Sequence, residues 1–288
     1  MSTAGLETPA GWAATLDRIA QREKRRVVVI GPTDVGKSSF VRAALDAAAE
    51  ASTALSLIDL DPGQKMLGPP GTASLGDASC LRRFIFLGST SASEVSRIVD
   101  AAGKLADDAA DGFIVNTSGF VRGLGARLQA ATIARLAPDL LVVLGDPVEV
   151  APILEAHSQV RATELGTAPA ARRKAPSERS ATRQAAFAQA LKKPGPLQLD
   201  PGEVSFIPAP PAMFEEVARP VCALLDATGE AMSIGIVEHA GADALTLHGS
   251  RPPRPVRVVQ LGKMWAAPSQ NGWELLDRLS PSWLSNAK

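Results

Sequence analysis

The chain has 288 residues, 45% of them hydrophobic and 21% charged, and its 30 Lys/Arg are balanced by 30 Asp/Glu. This length suits one large domain, alone or with a small one. The neutral balance excludes a globally basic nucleic-acid coat but leaves room for a local basic surface. Cys80 and Cys222 lie far apart with no CxxC or ligand cluster, which argues against a disulfide framework or a thiolate metal site. The first 26 residues contain no apolar core of signal-peptide type, and no apolar run reaches the ~18 residues of a spanning helix. A cytoplasmic protein with no membrane segment is expected.

Residues 12–25 carry the spacing of an amphipathic lead-in helix ending in the basic run 22–26. "RVVVI" (26–30) reads as a buried strand, followed by a glycine loop and a helix to about Glu50. "ALSLIDLD" (54–61) is a second buried strand ending in carboxylates, and "PGQKMLGPPGTASLG" (62–76) reads as a Gly/Pro-rich loop. Strands are predicted at 83–88, 112–116 and 139–146, with helices at 91–109 and 122–136 between them. Continuous apolar strands alternating with helices specify a mostly parallel sheet covered on both faces.

Beyond residue 156 the character changes. Between Arg161 and Lys193 there are eight Lys/Arg against two Glu, a net charge of +6. "PSERSATRQAAFAQALKK" within this stretch has helical spacing, with Ser177 as the expected N-cap. A short helix is expected near 211–218. Residues from about 221 to 266 then show short alternating runs broken by DATG, HAGAD and SRPPRP, the pattern of a small antiparallel β unit. The expected organisation is a lead-in helix (1–25), a P-loop α/β domain with a basic lid (26–218, lid about 165–193), a small β domain (219–265) and a tail (266–288).

The strongest motif is Gly31-x-x-x-x-Gly36-Lys37-Ser38, placed after a strand and before a helix. Glycines there let backbone N–H groups close around phosphates, and the helix N-terminus adds partial positive charge. Gly31, Thr33, Asp34, Val35, Gly36, Lys37, Ser38 and Ser39 are therefore the expected nucleotide-binding block. Lys37 is expected to bridge phosphates and the Ser38 hydroxyl to ligate Mg²⁺. About twenty residues on, Asp59-Leu60-Asp61-Pro62-Gly63-Gln64 ends the neighbouring strand, where carboxylates face the ligand crevice. If the strand stays extended, Asp59 and Asp61 point the same way. They can then divide the labour, one holding the metal's water shell and the other accepting a proton. One of the two can equally serve only to cap the turn before Pro-Gly.

"GPTDVGKSS", "DLDPGQ", "GPPGTASLG", "GSTS" and "NTSGF" follow one another in order, continuing through "SERSATRQAAFAQAL" into the β unit. Over roughly residues 26–262 this resembles the polynucleotide 5′-hydroxyl kinase family, which includes RNA kinases of cleavage-factor and rRNA-processing complexes. The resemblance implies ATP and Mg²⁺ as cofactors, the 5′-hydroxyl end of RNA or DNA as acceptor, and RNA-processing or repair partners. It implies that Lys37 and Ser38 hold phosphates and metal and that Asp61 is the general base with Gln64 beside it, which leaves Asp59 as the expected carboxylate for the metal. Thr117, Gly119 and Phe120 would lie near the substrate, and Arg179 and Arg183 would match the lid arginines that clamp the phosphoryl group. Their four-residue spacing also places both guanidiniums on one helix face. Arg172 and Arg173 are assigned to substrate as well, against the nucleic-acid backbone. Phe120 stands where the family has Trp, which keeps a stacking face with less area, and Ala92 stands where many members have Pro. Two other readings stay open at this point: a nucleotide-holding scaffold, marked by tight ATP retention without turnover, and a water-using ATPase, marked by hydrolysis independent of any oligonucleotide.

Overall fold

The computed structural model describes residues 11–22, 25–109, 112–191, 194–209, 218–270 and 272–276. The helix expected near 211–218, Lys192, Lys193 and the end of the tail with Trp283 lie outside them. Among the described residues no helix is long and apolar enough to cross a membrane. The chain divides into two compact units: Met1–Asp61, Ala73–Arg83 and Ala92–Ala175, and then Pro62–Thr72, Phe84–Ser91 and Pro176–Lys288.

In the first unit, helix α1 (Ala13–Ala20) precedes strand β1 (Arg26–Ile30) and helix α2 (Lys37–Glu50). Trp12 anchors α1 by an edge-on contact with Phe40 of α2, the ring centroids 5.2 Å apart. Strands β2 (Ser56–Asp59), β3 (Thr72–Gly76) and β4 (Leu81–Phe86) follow, β4 passing into the second unit from Phe84, then helix α3 (Val95–Asp107), strand β5 (Phe113–Asn116) and helix α4 (Leu124–Leu136). Strand β6 (Leu140–Leu144), a 3₁₀ turn (Pro147–Val150), helix α5 (Ala151–Ala156) and strand β7 (Ala162–Leu165) complete it. The sheet runs β4-β3-β2-β5-β1-β6-β7. β2, β5, β1, β6 and β7 are parallel to one another, whereas β3 is antiparallel to β2. Every residue of β2, β5 and β6 is buried, which is why these strands read as unbroken apolar runs. Neither β3 nor β7 is predicted from the sequence. β3 lies inside the stretch read as a loop, because "TASLG" offers one large apolar residue even though all five of its residues are buried in the structure.

The second unit begins its regular structure with helix α6 (Pro176–Ala190). Pro176 opens the helix, as proline does at a first helical position, so Ser177 sits inside the first turn and is not the N-cap expected. Strands β8 (Gly195–Leu199), β9 (Ser205–Ile207), β10 (Arg219–Leu225), β11 (Ala231–Ala240), β12 (Leu245–Gly249), β13 (Val258–Ser269) and β14 (Gly272–Leu276) follow. They form one sheet in the order β14-β13-β10-β11-β12-β8, with β9 on β13. It is antiparallel except for the β9–β13 pair. The expected antiparallel unit is present and larger than its predicted bounds, since β8 and β9 precede it and β14 extends into the predicted tail.

Alternation along β10 explains how this sheet is held. Val221 and Ala223 join Phe84, Phe86, Phe187, Leu191, Ile234 and Met264 in one apolar cluster. Cys222 and Leu224 face the other side, among Val237, Leu245, Leu247, Val259 and Leu261, as the two-residue period of a strand requires. Helix α6 belongs to this unit through Phe187 and Leu191, not to the P-loop unit in which the sequence boundaries put it. The Gln184 side chain donates to Trp273 O (3.0 Å) and accepts from Leu275 N (2.8 Å), completing the hydrogen bonds of β14.

Phe187→Ala is expected to cost about 3–5 kcal/mol in denaturant titrations, whereas the exposed Gln189→Ala stays within about 0.5 kcal/mol. Burial pushes the Cys222 thiol up to about 12, while Cys80 is exposed. An aromatic disulfide reagent at neutral pH should therefore titrate a single thiol in the native protein and both after denaturation.

Candidate functional site

β1 ends at Ile30 and the chain turns through a loop whose backbone only certain residues tolerate. Gly31 has φ +149° and Gly36 φ +100°. A Cβ on Gly31 would overlap the carbonyl oxygen of Leu144, and one on Gly36 would lie 2.7 Å from the Ala168 Cβ. Asp34, between them, takes φ +64°, a left-handed conformation that Asp accepts more readily than most residues. α2 begins directly at Lys37, with Gly36 offering no side-chain cap and no acidic residue in the first turn. Its N-terminal dipole charge therefore meets no carboxylate of its own helix. Lys37 is 7% exposed, and its ammonium donates to Gly31 O (2.9 Å) and Pro32 O (2.7 Å). The loop thus holds its cation over its own mouth.

Beside this loop lie the C-terminal ends of β5 and β2, in parallel register with Asp59 opposite Asn116. Asp59 is 0% and Asn116 1% exposed. Asn116 Nδ2 donates to Asp59 Oδ1 at 2.9 Å, and the same oxygen accepts from Asp61 N at 3.3 Å. On its other side, Asn116 Oδ1 lies 3.5 Å from the Ser38 hydroxyl, which donates to it. β2 ends at Asp59, and Leu60 N still donates to Asn116 O (2.9 Å). Asp61 follows two residues on, its N–H bound to the Asp59 side chain, and is half-buried.

The next segment, 117–120, is pinned against the loop. Thr117 Oγ1 donates to Val29 O (2.7 Å), and Thr33 Oγ1 donates to Gly119 O (3.4 Å). A Cβ on Gly119 would collide with Thr33, so glycine is what permits this approach. Gln129 from α4 donates to the carbonyls of Ser118 (3.1 Å) and Phe120 (3.4 Å). Phe120 is 42% exposed, an apolar ring presented at the surface.

Segment 166–175 is tied to the same loop. Ala168 N donates to Val35 O (3.1 Å) and Lys174 N to the Asp34 carboxylate (3.0 Å). The exposed Arg172 and Arg173 are thereby held near the loop's flank. Ser38 and Ser39 are exposed at the start of α2. Gln64, Arg179 and Arg183 belong to the second unit. There Gln64 Nε2 donates to Gly63 O (2.8 Å) and Arg179 O (3.2 Å), and the two arginines are half-buried on α6, one turn apart.

Among the described residues no group of three or more His, Cys, Asp or Glu forms a metal cage. A serine hydroxyl with carboxylates behind it is a hard-oxygen set that suits Mg²⁺ shared with phosphates, and the glycine cradle over a helix N-terminus suits the phosphates themselves. One contributor escapes the sequence reading, Asn116, whose role depends on strand register, and Asp34, expected at the nucleotide, also fastens 166–175 through its side chain. The only sequence signal for Asn116 is its place at the head of "NTSGF". Gly119→Ala is expected to displace Thr33 at a cost of about 1–3 kcal/mol, read as a lower melting temperature together with weaker nucleotide binding by fluorescence titration.

The family model described as mRNA cleavage and polyadenylation factor CLP1 P-loop matches residues 31–192. The polyribonucleotide 5′-hydroxyl-kinase Clp1 of Danio rerio is 30% identical over 145 residues, covering 41% of this chain and 32% of that protein. A polyribonucleotide 5′-hydroxyl-kinase of Pyrococcus furiosus is 27% identical over 188 residues, covering 59% and 52% respectively. The chain thus spans from a third to about half the length of these curated relatives. Among solved structures, wild-type Clp1p in complex with Pcf11p superposes with a TM-score of 0.67 at 14% identity, covering 86% of this chain and 76% of that one, a likeness of fold. With more than half its length matched by the family model, the chain belongs to the CLP1 P-loop family.

Proposed function

We propose that this chain transfers the γ-phosphoryl group of ATP to the 5′-hydroxyl end of a polynucleotide. The observation that carries the reading is the convergence of Lys37, Ser38, Asp59, Asp61 and segment 116–120 on one crevice at the strand ends. Relatives named as polyribonucleotide 5′-hydroxyl-kinases support the choice of acceptor. Bound MgATP supplies the phosphoryl group and the metal's charge. Lys37 exchanges its loop carbonyls for phosphate oxygens, Ser38 offers its hydroxyl to the metal, and Asp59 stands behind the metal's water shell. Asp61 takes the proton of the 5′-hydroxyl as the O5′–P bond forms, while the bond from phosphorus to the bridging oxygen breaks and leaves ADP. Thr117 and Gly119 shape the acceptor side, Phe120 stacks on the terminal base, and Arg172 and Arg173 meet the strand's backbone phosphates. Arg179 and Arg183 meet the charge that spreads over the phosphoryl group in flight, on a helix that Gln64 braces through Arg179 O. A nucleic acid with a 5′-hydroxyl is the proposed partner, within an RNA-processing or repair setting.

The test is transfer of label from γ-labelled ATP to matched 5′-hydroxyl RNA and DNA oligonucleotides. Asp61→Asn is expected to lower transfer about 10²–10⁴-fold while nucleotide binding persists. Removing Arg179 and Arg183 together is expected to cost on the order of 10³–10⁵-fold. No transfer by the wild type, or transfer undiminished in Lys37→Ala, refutes the assignment.

A further inference from the structure

Asn116 and Asp59 form a buried polar pair that the nucleotide-loop motif does not require. Burying a carboxylate and an amide is costly unless each group is hydrogen-bonded. An ionised carboxylate can only accept, so the amide end facing Asp59 Oδ1 at 2.9 Å is the NH₂ group. This fixes the flip of Asn116: its carbonyl oxygen is turned toward the Ser38 hydroxyl, 3.5 Å away. The reverse flip would set an oxygen against the carboxylate and an NH₂ toward a hydroxyl.

The consequence concerns the hydroxyl proton. When Ser38 gives an oxygen lone pair to a metal, its O–H must point away from the metal, into an acceptor. Asn116 Oδ1 lies where that acceptor is needed. The 3.5 Å separation is long for an O–H···O bond, as contacts at such sites often are until a ligand engages them. We infer that Asn116 is a positioning residue for metal-bound nucleotide: locked in orientation by Asp59, it aims the Ser38 hydroxyl's lone pair at the metal. Asp59 Oδ1 also accepts from Asp61 N at 3.3 Å. One buried oxygen therefore holds both the amide that faces the metal-side hydroxyl and the backbone N–H of Asp61. The inference rests on the nucleotide-binding half of the proposed function, not on the identity of the acceptor.

Binding of a fluorescent ATP analogue (mant-ATP) to the full chain, with Mg²⁺ and with EDTA, tests it without any turnover. The wild type should bind more tightly with Mg²⁺. Asn116→Ala should keep its EDTA affinity within about twofold but lose Mg²⁺-dependent tightening by roughly ten- to a hundredfold, the usual effect of removing a partner that orients a metal ligand. Ser38→Ala should lose the same increment, and adding Asn116→Ala to it should change nothing further, since the two act as one unit. Should the alanine variant melt well below the wild type, Asn116→Thr serves in its place, keeping a donor for Asp59 but withdrawing the amide oxygen from Ser38. An intact Mg²⁺ effect in the Asn116 variants overturns the inference. So does a loss that simply adds to that of Ser38→Ala, or a wild type whose affinity ignores Mg²⁺. Mg²⁺-coupled binding that passes these tests without phosphoryl transfer to any 5′-hydroxyl end leaves it standing and refutes the kinase reading alone.

Discussion

The site depends on the pairing of β2 with β5, which sets Asp59 against Asn116 in a buried hydrogen bond. β5 lies between β2 and β1 in the sheet. The chain leaving β5 therefore has carboxylates on one flank and the phosphate-binding loop on the other. Asn116 is in register with both Asp59 and Val29, so a single strand end reads out two neighbours at once. Parallel sheets place ligands beyond the carboxyl ends of their strands for this reason: every strand ends on the same side, and the turns that follow converge.

That geometry has local costs which packing elsewhere offsets. Gly31, Asp34 and Gly36 hold conformations that most side chains resist, and Asp59 is a carboxylate removed from water. Around them, β1, β2, β5 and β6 are buried along nearly their whole lengths. Transfer of such side chains from water is worth roughly 1.5–3 kcal/mol each. The crevice is rigid because its walls are core: Thr117 ties to a β1 carbonyl, and Gln129 of α4 spends its amide on the carbonyls of Ser118 and Phe120.

Much of this is legible in the sequence where burial is two-sided and local. The apolar runs ending at Ile30, Asp59, Asn116 and Leu144 announce parallel strands, and Gly31 to Ser38 announces the loop. β3 is hidden because "TASLG" offers one large apolar residue. Helix α6 reads as part of a basic lid of the P-loop domain, because small and polar residues dominate it and its docking into the antiparallel unit rests on few large apolar residues, Phe187 and Leu191. The Asp59–Asp61 spacing announces two carboxylates at one strand end, but not that the Asp59 side chain also holds the Asp61 N–H. Asn116 is the clearest omission. An asparagine at a strand end is ordinary by composition, and only the register of three strands gives it meaning.

Helix α6 shows how a spacing rule and a packing rule combine in one element. Arg179, Arg183, Phe187 and Leu191 recur every four residues, so each lies one turn above the last and drifts only slowly around the axis. The C-terminal members are buried in the apolar cluster of the antiparallel sheet, while the N-terminal members remain half-buried and charged. Gln184, between them, completes the backbone bonding of β14, and Gln64 holds the carbonyl of Arg179. The arginines therefore ride on a helix fixed at one end by a hydrophobic core and braced at the other by a side-chain amide. A guanidinium presented this way has lost part of its freedom before it meets any anion, and under the proposed kinase function that preorganisation is what would let its charge favour the transition state.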